Sequence, residues 1–185
     1  KREASQDWKW FEPRLTYANA RLPHALIQAA RWLDNEEAGQ IGLESLRWLM
    51  EVQTAEAGHF RPIGCHGFYP KGGTKAQFDQ QPIEACCSVS ACLEAFYYTH
   101  EEEWVRLAHR AFEWYLGRND LGIPLYEPRN GGCYDGLKMD RINVNQGAES
   151  TLSFLMALQE MRLLMQRMAT FERPVEEGQP EPVGV

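Results

Sequence analysis

Nothing in this sequence approaches the roughly 20 consecutive apolar residues that a membrane-spanning helix needs, so no membrane partner is expected. The opening Lys1-Arg2-Glu3-Ala4-Ser5-Gln6-Asp7 has no apolar core behind it and does not read as a signal peptide. Basic residues are outnumbered, 19 against 26 acids, for a formal charge of −7 and with no Lys/Arg cluster. Such a chain repels phosphate backbones, which argues against nucleic acid as a partner. Cysteine is sparse and odd in number: Cys65, Cys86, Cys87, Cys92 and Cys133 follow no framework spacing. That pattern suits a reducing, cytoplasmic setting, and the three in one helical run read as small buried hydrophobes. His59, Cys65, His66 and Cys133 lack the tight pairs of a zinc site, so no metal is expected. No Gly-rich phosphate cradle follows a strand, so neither nucleotide nor other cofactor is expected.

What is present is an ordinary globular composition: 185 residues, 44% hydrophobic and 24% charged, enough for one domain with a real core. Five helical segments can be read, of two alternating kinds. Glu84 to Tyr98 and Gly147 to Glu160 are apolar or small nearly all round, the mark of helices buried on every side. Glu37 to Gln53 carries a polar stripe of Glu44, Arg47 and Glu51. Glu101 to Leu116 sets Arg106, Arg110 and Glu113 opposite Trp104, Ala108, Ala111 and Tyr115. Thr99 and Glu102 have capping-box spacing at the start of the latter. The links Asp34-Asn35-Glu36 and Thr99-His100 are short, as in antiparallel helical hairpins.

Buried helix, turn, amphipathic helix, long loop: this cycle occurs twice and begins a third time. His24, Glu84 and Glu149 occupy equivalent places at the helix entries, 60 and then 65 residues apart, which is the signature of a solenoid or closed ring. The loops from about Ala55 to Asp79 and Arg118 to Asn145 are long and rich in Gly, Pro and aromatics, and loops of that length in a compact domain are usually functional. Residues 171–185, rich in Pro and acids, read as a disordered tail behind a domain of residues 1–170.

The phrases WKWFEPRLTYANARLPHAL, GHFRPIG, FDQQPIEA, GGCYDGL and NVNQGAESTLSFL, spread from about Trp8 to Met161, together resemble a helical domain of bacterial glycosyltransferases and carbohydrate-processing proteins. That domain often lies C-terminal to a glycosyltransferase domain. The resemblance implies an all-α fold, a six-hairpin glycosidase-like (α/α) toroid. It also implies a glycan or sugar substrate. A complete toroid has about twelve helices against five or six here, so the expectation is a C-terminal half. The ring would be completed by the remainder of a longer chain or by a second copy, and an open half would leave helix faces uncovered.

In such a ring the long loops share a rim with the entries of the inner helices. Glu84, Glu149, Asp79 and Asp135 are then the candidate catalytic carboxylates, and Glu84 and Glu149, at matching positions on adjacent inner helices, can stand near the roughly 6.5–9.5 Å spacing of an inverting pair. Each has a plainer alternative. Glu84 and Glu149 can cap their own helices, Asp79 the turn before Pro82, and the glycines around Asp135 can serve only tight turns. Candidate sugar-binding groups are Asn19, His24, His59, Gln80, Gln81, Tyr134, Asn143, Asn145 and Gln146, since amides and imidazoles both donate and accept. Asn145 can equally be a helix cap. Trp8, Trp10, Phe60, Phe68, Tyr69, Tyr126 and Tyr134 offer stacking faces, although core filling is expected for most.

Overall fold

The computed structural model describes residues 3–171; of the expected tail, 171–185, Phe171 is the last residue of a helix and the rest lie outside the described residues. Five helices carry the fold among them: α1 (Arg21–Leu33), α2 (Glu36–Val52), α3 (Pro82–Thr99), α4 (Glu102–Glu113) and α5 (Ala148–Phe171). Three two-residue antiparallel ladders pin the loops, pairing β1 (Arg14–Leu15) with β2 (Tyr69–Pro70), β3 (Tyr126–Glu127) with β4 (Gly132–Cys133), and β5 (Gly136–Leu137) with β6 (Ile142–Asn143). The chain is all-α in architecture and toroid-like, a run of helical hairpins.

The hairpin turns follow from local chemistry. Asp34 ends α1 in the left-handed conformation and Asn35 accepts the Ala38 N–H at 3.0 Å to start α2. His100 ends α3 in the same left-handed way, its N–H bonding Phe96 O at 2.8 Å. That turn displaces the expected capping box. Thr99 is the last residue of α3 and its hydroxyl bonds Ala95 O at 2.9 Å, while Glu101 leads into α4 without a side-chain cap.

Helix α3 lies at the centre, packed on α1, α5 and α4, and its near-total burial explains its lack of a polar face. The amphipathic α4 buries Trp104, Ala108 and Ala111 against it, with Trp114 and Tyr115 following in the core. Helix α5 departs from expectation twice. It runs on to Phe171, and it is not buried all round: Leu152, Leu155, Met156, Leu163, Met165 and Met168 are exposed. It packs on α3, β4 and, lightly, α4, and nothing among the described residues covers its far side. Trp32 and Leu33 at the end of α1 are exposed in the same way.

The aromatics mostly fill the core. Trp8, Trp10 and Phe60 are buried, Tyr69 meets Trp8 edge-on, and Tyr126 stacks on Phe154 with ring centroids 4.6 Å apart. Two glycines let the long loops close on themselves and on each other. A Cβ on Gly64 would sit 1.9 Å from Phe78 O, and one on Gly136 would sit 2.4 Å from Gln80 O. Gln80 and Leu137 exchange backbone hydrogen bonds of 2.9 Å in both directions, so the two loops form one rim above α3.

Candidate functional site

The rim is built where the chain enters α1, α3 and α5. Pro82 occupies the first turn of α3 and puts Glu84 in the third helical position. Glu84 does not cap its own helix. Its carboxylate accepts the Ala18 N–H, the Asn19 N–H at 3.3 Å and the Asn19 side-chain amide at 3.1 Å, tying α3 to the segment entering α1. Burial pushes its pKa up to about 7, against the pull of those three donors. With 3% of its surface exposed, Glu84 is engaged by the protein, and Asn19, equally buried, is its partner.

His24, Glu84 and Glu149 share the helix entries with a drift: they stand fourth, third and second in α1, α3 and α5. Glu149 is exposed and accepts the Tyr17 hydroxyl at 2.5 Å. Desolvation, then the Glu149 carboxylate, raises the Tyr17 phenol above its ordinary value. His24 lies away from the rim, in a groove on the wall formed by α1, α3 and α5, where burial and then Arg21 and Arg31 lower its pKa to about 4.

Asp135 serves the entry of α5. Its Oδ1 accepts the Gly147 N–H at 2.7 Å and its Oδ2 the Asn145 side-chain amide, so Asp135, not Asn145, takes the backbone donor just ahead of the helix. Desolvation raises its pKa, but bonds from Ser150, Asn145 and Gly147 outweigh it and hold the carboxyl below the usual range. Asn143 accepts the Asn145 N–H at 3.4 Å, and Gln146 accepts the Asn130 amide at 2.8 Å. The Tyr134 hydroxyl donates to Glu127 at 2.9 Å. Arg129 first, then Tyr134, lowers the Glu127 carboxyl to about 2.

Gln80 is fully buried: it accepts the Trp114 indole N–H at 2.8 Å and donates to Asp120 at 2.6 Å. His59 meets the same Asp120 carboxylate at 2.9 Å, and Arg61 grips it at 2.5 to 2.9 Å. Asp120 and Arg61, which the sequence alone did not single out, thus hold the floor of the rim. Gln80 and His59 are drawn into that network, and Gln81 leads into α3 with no side-chain cap bond.

Asp79 does not cap α3 either. Beyond a weak 3.8 Å contact from the Cys65 thiol, its carboxylate faces a groove of about 600 Å³ between the two loops. Phe78, Gln77, His66, Lys75, Lys138 and Met139 line that groove with it. Asp79 Oδ1 lies 3.7 Å from where a Cβ on Gly136 would stand, which places it beside the second loop, whereas the Asp135 carboxylate is engaged at Gly147 and Asn145. Among the described residues there is no cluster of three metal-ligating side chains, and no helix is long and apolar enough to cross a membrane.

The fold is all-α and toroid-like. The structure is similar to an alpha-1,6-mannanase, GH76A of Salegentibacter sp. HEL1_6, solved as an inactive double Asp-to-Asn variant in complex with alpha-1,6-mannotriose. The TM-score is 0.61 at 10% identity, over 90% of this chain and 49% of that one. This chain therefore spans about half the length of its neighbour. No family model matches the sequence, and no curated protein matches it.

Proposed function

We propose that this chain is a carbohydrate-active toroid segment that binds glycan in the rim groove beside Asp79. The observation that carries the reading is the groove itself. It is an open cleft of about 600 Å³ between the two long loops, with a half-buried carboxylate, an aromatic ring and amide and cationic groups on its walls. The mannanase of the same fold holds a mannotriose, which makes a neutral oligosaccharide the first ligand to try. The sequence phrases from Trp8 to Met161 further suggest a place within a longer, cytoplasmic bacterial protein carrying a glycosyltransferase domain. The rest of that chain, or a second copy, would close the open edges at α1 and α5.

Two carboxylates near one sugar can supply the acid and base of glycoside hydrolysis. Asp135, held ionised by its donors, suits the base role, and Asp79 is the second group. Glu149 with Tyr17 borders the neighbouring entry. A non-catalytic, glycan-presenting role has its own support: both Asp135 oxygens are already engaged, by the Gly147 N–H and the Asn145 amide, and Glu84 is sealed from solvent.

The test is calorimetric titration with alpha-1,6-mannotriose and a panel of other oligosaccharides, on the native chain and on Asp79→Asn. Saturable binding weakened in the variant supports the rim site. Product formation in the same tubes, followed by chromatography and lost in Asp79→Asn, favours an enzyme over a presenting module. Absence of binding by any saccharide would sink the reading.

A further inference from the structure

Where the two long loops meet, Gln80 and Leu137 form an antiparallel bridge, each N–H bonding the other's carbonyl at 2.9 Å. One step out from that pair, the register sets Asp79 opposite Lys138. Cross-strand neighbours of this kind present their side chains to one face, with Cβ atoms about 4.5–5.5 Å apart. Two further observations agree. Both residues line the groove of about 600 Å³, and Asp79 Oδ1 leans over Gly136, which stands two residues before Lys138 on the same face.

A carboxylate and an ammonium so placed are within reach of an ion pair, yet they make none. Asp79 Oδ2 takes only the long 3.8 Å contact from the Cys65 thiol. Among the described residues the Lys138 ammonium has neither an ion pair nor a hydrogen bond. Both side chains are half-buried, so neither is sealed from a ligand. Lys75, the other lysine of the groove, differs, because its ammonium donates to Val52 O. The groove thus holds one acceptor and one donor side by side, both unspent.

An open pair in water is common and names no ligand by itself. The ring beside it does. Phe78 lines the same groove and is half-buried, but among the described residues it packs neither on the core nor on another ring. It offers a flat apolar face next to polar groups, which suits a ring that is apolar on its face and polar at its edge.

Charge narrows the choice. An anion would gain at Lys138 and lose at Asp79, and a cation the reverse. A neutral ring with two adjacent hydroxyls gains at both, one hydroxyl donating to the carboxylate while its neighbour accepts from the ammonium.

We propose that Asp79 and Lys138 clamp a pair of adjacent hydroxyls on one sugar ring laid against Phe78, so that the groove selects saccharide units with a free vicinal diol. The clamp rests on the rim groove being a glycan site, and adds the hydroxyl pattern it takes and the role of Lys138 in gripping it. Lys138→Met keeps the apolar stem and removes the ammonium, while Lys138→Gln keeps a donor without the charge.

The experiment is titration calorimetry with alpha-1,6-mannotriose, its fully O-methylated form and trigalacturonate. The proteins are the native chain, Lys138→Met, Lys138→Gln, Asp79→Asn and the double variant Lys138→Met, Asp79→Asn. Circular dichroism melting confirms that each is folded, as expected for changes at half-exposed side chains. Mannotriose binding should weaken about tenfold in Lys138→Met and in Asp79→Asn, and recover in part in Lys138→Gln. In the double variant the loss should fall short of the product of the single losses, because both groups hold one diol. The methylated sugar, with no hydroxyl to donate, should not bind. Binding weakened by Asp79→Asn but untouched by Lys138→Met overturns the clamp and leaves the rim site standing. Losses that simply multiply, or methylated sugar bound as tightly as mannotriose, overturn it in the same way. Trigalacturonate bound more tightly than mannotriose, and lost in Lys138→Met, overturns the ligand class. No saccharide bound by the native chain overturns both the clamp and the rim site.

Discussion

Glu84, in the first turn of α3, accepts the side-chain amide of Asn19 at 3.1 Å, so a carboxylate from one inner helix secures the entry of the next. Two backbone N–H groups, of Ala18 and Asn19, join that amide on the same two oxygens. Truncating it strands three donors in a buried place. Glu84→Ala should cost about 3 kcal/mol or more, since removal of a hydrogen-bonded buried charge leaves each partner unpaired. Chemical denaturation of the purified variant measures it, and a loss below about 1 kcal/mol would show the contact to be incidental.

The same residue gives stability a pH dependence. Its folded pKa is raised, to about 7, above the unfolded value near 4.3. A raised pKa means that the folded state holds the proton more tightly. The stabilisation is therefore complete below the unfolded value and is lost as pH climbs through about 7. Unfolding free energy should fall between pH 5 and 8 by on the order of 3 kcal/mol, and the Glu84→Ala chain should lack that slope. A native chain equally stable at both ends of this window would contradict the shift.

Asp120 works in the opposite sense. Desolvation raises its pKa, but Arg61, Gln80 and His59 outweigh it and hold the carboxyl below the ordinary aspartate range. A depressed pKa contributes stability that is present above the unfolded value and disappears as pH falls through the folded one. Asp120→Asn breaks the pair with Arg61, whose side chain is 24% exposed against 7% for Asp120. Allowing for the water that reaches Arg61, the expected cost at neutral pH is about 2–4 kcal/mol. Hydrogen exchange should locate the loosening in the loops carrying His59, Arg61 and Gln80. Exchange confined to other regions would argue against Asp120 as the pin of the rim.

The first loop also closes on itself through bare backbone, which separates Gly64 from other glycines. Gly64→Ala drives a methyl into Phe78 O, C and N, at 1.9 to 2.6 Å, where no side chain can swing aside. Overpacking of this kind costs about 1–3 kcal/mol or more, and here the backbone beside Asp79 must move. Gly58→Ala is the control. Its Cβ meets nothing within 4 Å, and only its φ of +85° resists substitution, at about 1–2 kcal/mol. Both variants should lose stability, but only Gly64→Ala should also weaken glycan binding. Equal binding in the two would show that the groove does not depend on this crossing.

How much of this was open to a reader of the sequence depended on distance along the chain. The unbroken apolarity of α3 and the polar stripes of α2 and α4 are written in runs of under 20 residues, and they appear in place. The short link Asp34-Asn35-Glu36 is equally local. The full burial expected for α5 was misread, because an apolar helix is covered only where a neighbour exists, and periodicity does not say whether one does. Partners far apart in sequence were invisible: Glu84 and Asn19 are 65 residues apart, and Arg61 and Asp120 are 59 apart. Gln80 and His59 have the chemistry of sugar ligands. Only tertiary structure reveals that Trp114 and Asp120 already engage them.

That uncovered side of α5 carries the last prediction. Leu152, Leu155, Met156 and Leu163 recur at helical spacing and are 41 to 58% exposed, and Trp32 on α1 is 77% exposed. A contiguous apolar face of this kind marks an interaction surface or an aggregation hazard. Sedimentation velocity over a range of concentrations should therefore find the 185-residue chain self-associating. The double substitution Leu152→Glu, Met156→Glu should shift it to monomer. Because both side chains point away from the core, the variant should keep its Tm, with a change in stability within about 0.5 kcal/mol. A chain monomeric at every concentration would remove the case for a second copy as the ring's other half. The remainder of a longer chain would then be the cover to look for, and co-expression of a flanking segment would be judged by whether it protects α5 from hydrogen exchange.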